Sequence, residues 1–276
     1  MKTEHLRLDD GQNLAVELAL AERDVLITGR SGTGRSTVLK ELRRELPGNV
    51  VFLAPTARAA REMEGSTINR VFGFPPASPL PPGYVSELSP EQGEIVSSVE
   101  TLVIEDASMV RSDVFAAIDA TLRRYATPSQ ARCSFGGRQV VMVGDFLQFP
   151  AVVRPAPVWT DPEGEPGGCF ALGPAAWQLA SFRLVELRQA YRHSSDQPYL
   201  QALDCIRRGE KGTPDMAFAD CLRWLNDNVQ ILDCPPKGVT TLCTTRARAM
   251  DINRCRNRML STPVHTAEAD VYGTLE

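Results

Sequence analysis

Val25-Leu26-Ile27-Thr28-Gly29-Arg30-Ser31-Gly32-Thr33-Gly34-Arg35-Ser36-Thr37 joins a short apolar run to a glycine-rich turn. The turn opens onto Val38-Leu39-Lys40-Glu41-Leu42-Arg43-Arg44-Glu45-Leu46, which has helical spacing. Strand, loop and helix in that order make a phosphate-binding loop. Its backbone N–H groups, from Gly29 to Thr37, converge on an anion, and the helix N-terminus adds its partial positive charge. Gly32, Thr33 and Gly34 are expected to form the cradle, and Ser36 stands where a hydroxyl ligates Mg²⁺. A nucleoside triphosphate is the expected ligand. One position departs from the pattern, because Arg35 replaces the loop's lysine and puts a planar fork where a compact point charge belongs.

Outward from this loop, short apolar runs alternate with helical patterns: Val25 to Thr28, Val50 to Ala54, Leu102 to Ile104, Val140 to Val143, Leu184 to Leu187 and Thr240 to Cys243. Runs of this length, apolar throughout and separated by helices, predict buried parallel strands and so an α/β doubly wound sheet. Val110, Val114, Ile118 and Leu122 share one face of an amphipathic helix packed on that sheet. The stretch 74–90 is too proline-rich for a helix or a central strand, and 154–168 is rich in Pro, Gly and acids; both are expected as surface excursions. A break near Trp177 to Phe182 predicts a first lobe over residues 1–180 and a second over 181–276.

With 276 residues, 43% hydrophobic and 23% charged, the chain can bury a full core. The first ten residues have no apolar signal core, and no later run approaches the ~18 apolar residues of a membrane span. A cytoplasmic location with no membrane partner is expected. Seven cysteines without a Cys-x-x-Cys pair, and only three histidines, argue against structural zinc and a disulfide framework. The net charge of −4 excludes a polycation that coats nucleic acid, so any contact with DNA is local. One candidate is 246–258, where five arginines accompany one acid; a solvated helix face explains that run equally well.

Leu102-Val103-Ile104-Glu105-Asp106-Ala107-Ser108-Met109-Val110 places two acids at the carboxyl end of an apolar strand, the edge where open α/β sheets bind ligands. Such a pair can hold Mg²⁺ and polarise a water for attack on a γ-phosphate. Four further segments accompany it. They are Ala54-Pro55-Thr56-Ala57-Arg58-Ala59-Ala60, the stretch Thr67-Ile68-Asn69-Arg70-Val71-Phe72-Gly73-Phe74-Pro75, then Gly144-Asp145-Phe146-Leu147-Gln148-Phe149-Pro150, and Val185-Glu186-Leu187-Arg188-Gln189-Ala190-Tyr191-Arg192. Together, from Leu8 to about Leu260, these motifs resemble the superfamily-one DNA helicases of the petite-integration-frequency type.

The resemblance implies a RecA-like P-loop ATPase lobe followed by a second RecA-like lobe, with ATP and Mg²⁺ as cofactors and single-stranded DNA as partner. It implies that Arg35, Glu105, Asp106, Gln148 and Arg192 serve catalysis, with Ser36 and Glu105 on the metal. Gln148 would sense the γ-phosphate or orient the water. Arg192 would reach across the cleft from the second lobe to the transition-state charge. Gln12 fits the glutamine by which such helicases read adenine. Pro55, Thr56, Arg58, Thr67, Asn69 and Phe72 fall where the family touches single-stranded DNA. Phe72 or Phe74 suits base stacking, worth roughly 1–3 kcal/mol per base, and one of the two is expected in the core.

The chain departs from that family in three respects. Arg35 replaces lysine; the family's Asp-Glu pair is reversed as Glu105-Asp106; and nothing after Leu260 resembles its later T-V-H-K-x-Q-G and closing arginine motifs. A displacement of about 1 Å at a reacting centre costs ~10²-fold, and loss of one placed electrostatic donor ~10²–10³-fold. Binding is expected to outlast hydrolysis. The second lobe is expected to be incomplete, and a polypeptide carrying the missing motifs is an expected partner. Two functions remain open: a DNA-stimulated ATPase and helicase, or a catalytically lapsed module that holds ATP and single-stranded DNA.

Overall fold

The computed structural model describes residues 7–75, 79–148, 150–151, 171–173, 175–192, 195–209, 217–228 and 238–262. The excursion 154–168, Phe149 and His193 lie outside them. Six strands form one sheet among these residues: β1 (Val25–Gly29), β2 (Val50–Ala54), β3 (Ser66–Thr67), β4 (Thr101–Glu105), β5 (Gln139–Val143) and β6 (Arg183–Leu187). Their order is β3-β2-β4-β5-β1-β6, and every pairing is parallel. Parallel strands need covered faces, which is why β1, β4 and β5 read as unbroken apolar runs rather than as alternating ones.

Each face has its own core. Val25, Ile27, Val103, Val141 and Val143 pack with α1 (Asp10–Leu20) and α2 (Arg35–Glu45) on one side. Leu102, Ile104, Val140 and Met142 pack on the other with α4 (Ile68–Phe72), α6 (Ser112–Arg124) and α7 (Ala175–Leu179). Helix α6 carries the amphipathic stripe expected of it: Ile118 and Leu122 are fully buried, with Phe115 added to the face. It starts two residues later than the stripe, after Arg111, whose guanidinium pairs with Asp113 at 2.6 Å.

Three expectations change here. Residues 80–88 are docked rather than a loose surface excursion: Leu80 N–H donates to Asp113, Ser86 N–H to Thr121 and Leu88 N–H to Tyr125. A proline-rich segment cannot join a ladder, so α6 satisfies its amides with side chains, and Leu80 is buried beneath it. Second, the strand expected to open a second lobe pairs with β1 throughout, from Val25 with Arg183 to Gly29 with Leu187. Residues 1–200 form one compact unit and 201–276 another, so the break near 180 falls inside the first.

Third, 240–243 forms no strand. No described segment pairs with it, and Leu242 is 93% exposed. An apolar run needs a neighbour to share its backbone hydrogen bonds before it becomes a strand. Within residues 201–276, Ala202 and Cys205 of α8 (Gln197–Arg208) pack against Cys221 of α9 (Phe218–Asn228). Helix α10 (Arg246–Arg258) is capped by Thr245 and has no buried residue. Among the described residues no helix is long and apolar enough to cross a membrane.

Candidate nucleotide-binding site

The loop after β1 is built for close approach. Gly32 and Gly34 sit at φ +83° and +85°, backbone that side chains rarely adopt, and a Cβ on either would collide with a neighbour. On Gly32 it would lie 2.6 Å from Arg192 Cβ, and on Gly34 it would strike Gln12 Nε2. Thr33 is buried and closes the turn by donating from Oγ1 to the Arg30 carbonyl at 2.9 Å. Helix α2 then starts at Arg35 with no side-chain cap on its first turn, the arrangement that offers N–H groups and the helix dipole to an anion. Gly34→Ala is expected to weaken nucleotide binding about tenfold or more, since the left-handed backbone alone costs ~1–2 kcal/mol and Gln12 must also move. Calorimetric titration checks it; unchanged affinity would place the nucleotide elsewhere.

Strand pairing sets the acids opposite the loop. Ile27 pairs with Val143 and Val143 with Glu105, so the ends of β1, β5 and β4 form one edge. Glu105 is half-buried, and its carboxyl is pushed up to about 7, by burial first and then by Asp106, while the Arg35 guanidinium opposes the rise. Asp106 itself stands in left-handed backbone, φ 51°. Two carboxylates squeezed together at a partly buried edge, with one cation facing them, suit a divalent ion. Ser36, which is exposed on the first turn of α2, and Glu105 are the residues that would hold Mg²⁺.

Gln12 meets the loop directly. Its amide is 2% exposed, donates to the Thr33 carbonyl at 3.2 Å and accepts from Asp9 N–H in a capping box at the start of α1. Arg192 comes from the same compact unit as the loop, on the segment after β6, so it approaches Gly32 without crossing from another lobe. Tyr191 and Arg192 N–H both donate to the Gly32 carbonyl, at 2.8 and 3.4 Å. Gln148 lies in the turn after β5, at the same edge, with its side chain exposed.

Three residues at this edge escaped the reading of the sequence. Asp145, 1% exposed at the end of β5, accepts from Leu147 N–H at 3.1 Å. Asp9 and Tyr191 bond to each other at 2.7 Å. Asp9 was legible as an N-cap, because glutamine follows at the third position of the helix.

The nucleic-acid candidates gather at the ends of β2 and β3, where Ala54 pairs with Thr67. Thr56 caps α3 (Ala57–Glu62) and Thr67 caps α4. Asn69 pins the following turn by donating to the Phe74 and Pro75 carbonyls. Pro55, Thr56, Asn69 and Phe74 line part of a cavity of about 270 Å³. Arg58 is exposed and pairs with Glu62, itself exposed, a contact worth little that a phosphate can displace.

Phe72 does not fit the base-stacking role. Helical spacing turns Ile68, Val71 and Phe72 inward together, and Phe72 is fully buried, stacked on Phe74 with centroids 5.4 Å apart. Both phenylalanines are in the core. Phe72→Ala is expected to cost about 3–5 kcal/mol of stability and to leave DNA affinity per folded molecule unchanged. Urea unfolding and fluorescence anisotropy separate the two effects.

A glycine-rich loop, an acid pair and an arginine converging on one edge of a parallel sheet define a RecA-like P-loop site. Residues 14–198 match the PIF1-like helicase family, and the chain belongs to that family. It is 28% identical over 269 residues to the ATP-dependent DNA helicase PIF1 of Xenopus laevis, covering 96% of this chain and 39% of that protein. With the Bdellovibrio bacteriovorus ATP-dependent DNA helicase Pif1 the identity is 27%, covering 76% and 45%. In structure it is similar to Bacteroides Pif1 bound to ssDNA, with TM-score 0.74, 27% identity, and coverage of 91% of this chain and 57% of that one. The complex of the Bacteroides protein with ADP-AlF3 and ssDNA gives TM-score 0.74 and 26% identity, covering 94% and 59%. The chain therefore spans about two fifths of these two curated relatives and under three fifths of these two solved chains.

Proposed function

We propose that this chain is an ATP- and single-stranded-DNA-binding helicase lobe whose hydrolysis is slow. The convergence of the P-loop, Arg35 and the Glu105-Asp106 pair on one sheet edge carries this reading. Mg²⁺ bound there would neutralise phosphate charge and polarise the γ-phosphoryl group. The chain's own residues bind and orient: the loop cradles the phosphates, Gln12 lies beside it to read adenine, and Arg192 faces the third phosphate. Asp106 is placed to accept a proton from water, with Gln148 orienting that water. Single-stranded DNA runs over Pro55, Thr56, Arg58, Thr67 and Asn69.

Residues 201–276 would belong to a second RecA-like lobe. Steady-state phosphate release with and without single-stranded DNA, beside direct ATP titration, tests the reading. Micromolar ATP binding with slow, DNA-stimulated release supports it; absence of ATP binding would sink it. Binding without any DNA-stimulated turnover leaves the lapsed module as the function.

A further inference from the structure

Between α1 and the P-loop lies a closed ring of polar contacts that the nucleotide-binding role alone does not require. Asp9 Oδ1 accepts from Gln12 N–H at 2.8 Å and caps α1, while its second oxygen, Oδ2, accepts from the Tyr191 hydroxyl at 2.7 Å. Gln12 Nε2 donates to the Thr33 carbonyl, and the Gly32 carbonyl accepts from Tyr191 and Arg192 N–H. Arg192 thus hangs on the loop at two places: through backbone to Gly32, and through the neighbouring tyrosine to the helix whose glutamine grips Thr33. Tyr191 is 47% exposed, so its packing contributes little and its hydroxyl bond is its main tether.

We propose that Tyr191 is a positioning residue: held by Asp9, it fixes Arg192 over the P-loop so that the site distinguishes a triphosphate from a diphosphate. The inference rests on the reading of Arg192 as the group that meets the third phosphate. The physical reason is geometric. A bare arginine next to an exposed loop samples many rotamers, and a charged fork delivers its full interaction only when its root is held. The Gly32 bonds hold the backbone at residues 191–192 but leave it able to pivot. The bond from Tyr191 to Asp9 removes that pivot. Its acceptor is a carboxylate, which makes it stronger than a bond between neutral groups.

The test compares the affinities of the full chain for Mg²⁺ with the imido analogue of ATP and for Mg²⁺ with ADP, by calorimetry. Tyr191→Phe keeps the ring and is expected to lower the triphosphate-over-diphosphate preference roughly 3- to 10-fold with ADP affinity unchanged, the loss of about one solvent-exposed hydrogen bond. Asp9→Ser keeps a good N-cap but is too short to reach Tyr191, and should give the same loss. The double variant should be no worse than either single one. Arg192→Ala should abolish the preference. If Arg192→Ala leaves it intact, the role of Arg192 is wrong; if Arg192→Ala removes it while Tyr191→Phe keeps it, the tether proposed here is wrong. Equal loss for both nucleotides, or a fall in melting temperature that accounts for it, would make Tyr191 a structural residue and overturn the inference.

Discussion

Replacing Arg35 by Lys, Glu105 by Asp and Asp106 by Glu in one protein is expected to raise steady-state phosphate release by roughly 10²- to 10⁴-fold. Each change addresses one lesion. Lysine restores a compact charge on the first turn of α2, where arginine presents a longer planar fork. Exchanging the acids shortens the carboxylate proposed to hold the metal and lengthens the one proposed to face the water. Treated as independent, the penalties would multiply. They are not independent: Arg35 acts on the Glu105 carboxyl through its charge, so the two positions share one electrostatic balance. Coupled neighbours do not combine as a simple product, so the gain is expected to depart from the product of the separate penalties. Glu105→Asp alone should give little, because its partner acid stays one methylene too short. Affinity for the imido analogue should shift only several-fold, since the glycine cradle is untouched. Unchanged turnover in the triple variant would mean that the slowness does not arise at this edge.

The second large effect concerns stability. Arg138→Met is expected to destabilise residues 1–200 by about 3–5 kcal/mol, because several buried carbonyls lose their donor at about 1–3 kcal/mol each. For a unit of this size that lowers the melting temperature by on the order of 10 °C. Arg138 is 8% exposed, and its guanidinium donates to the carbonyls of Leu122 and Tyr125 at the end of α6, and of Gly136. It also reaches the carbonyls of Val96 and Ser97 at the end of α5 (Pro90–Ser98). One cation thus satisfies the carbonyl ends of two helices, where the helix dipole also favours positive charge. Burial pulls its pKa down, yet a guanidinium remains charged at neutral pH. Methionine fills similar volume but leaves those carbonyls without donors. Arg138→Lys keeps the charge with fewer, differently aimed donors and should recover only part of the loss. Thermal unfolding measures both. A shift under about 2 °C for the methionine variant would show that water replaces the guanidinium at little cost.

Much of the architecture was open to inspection before folding was considered. Among the apolar runs of the first unit, β1, β4 and β5 were legible because strands inside a parallel sheet bury both faces, whereas the edge strand β6 buries only Val185 and Leu187. The strand-loop-helix order at Val25 to Leu46 pointed to the loop between β1 and α2, where glycine readily adopts the positive φ seen at positions 32 and 34. Hydrophobicity does not separate a paired strand from an apolar run such as 240–243, with which no described segment pairs. Nor could it show that Phe72 lies inward with Phe74. Both have the composition of a base-stacking surface, and only the packing of α4 on its neighbours turns them in.

The sequence by itself determined the class of fold, the glycine-rich loop between β1 and α2 and the edge on which the acids stand, because these follow from local backbone chemistry and from burial on both faces of a sheet. Only the tertiary structure decided which lobe supplies Arg192, that Arg138 ties two helix ends, and that Asp9 reaches Tyr191 across 182 positions of chain. Such contacts join residues distant in sequence, and no periodicity or propensity encodes which pair will meet. The sheet order, with β6 beside β1, is what brings them together.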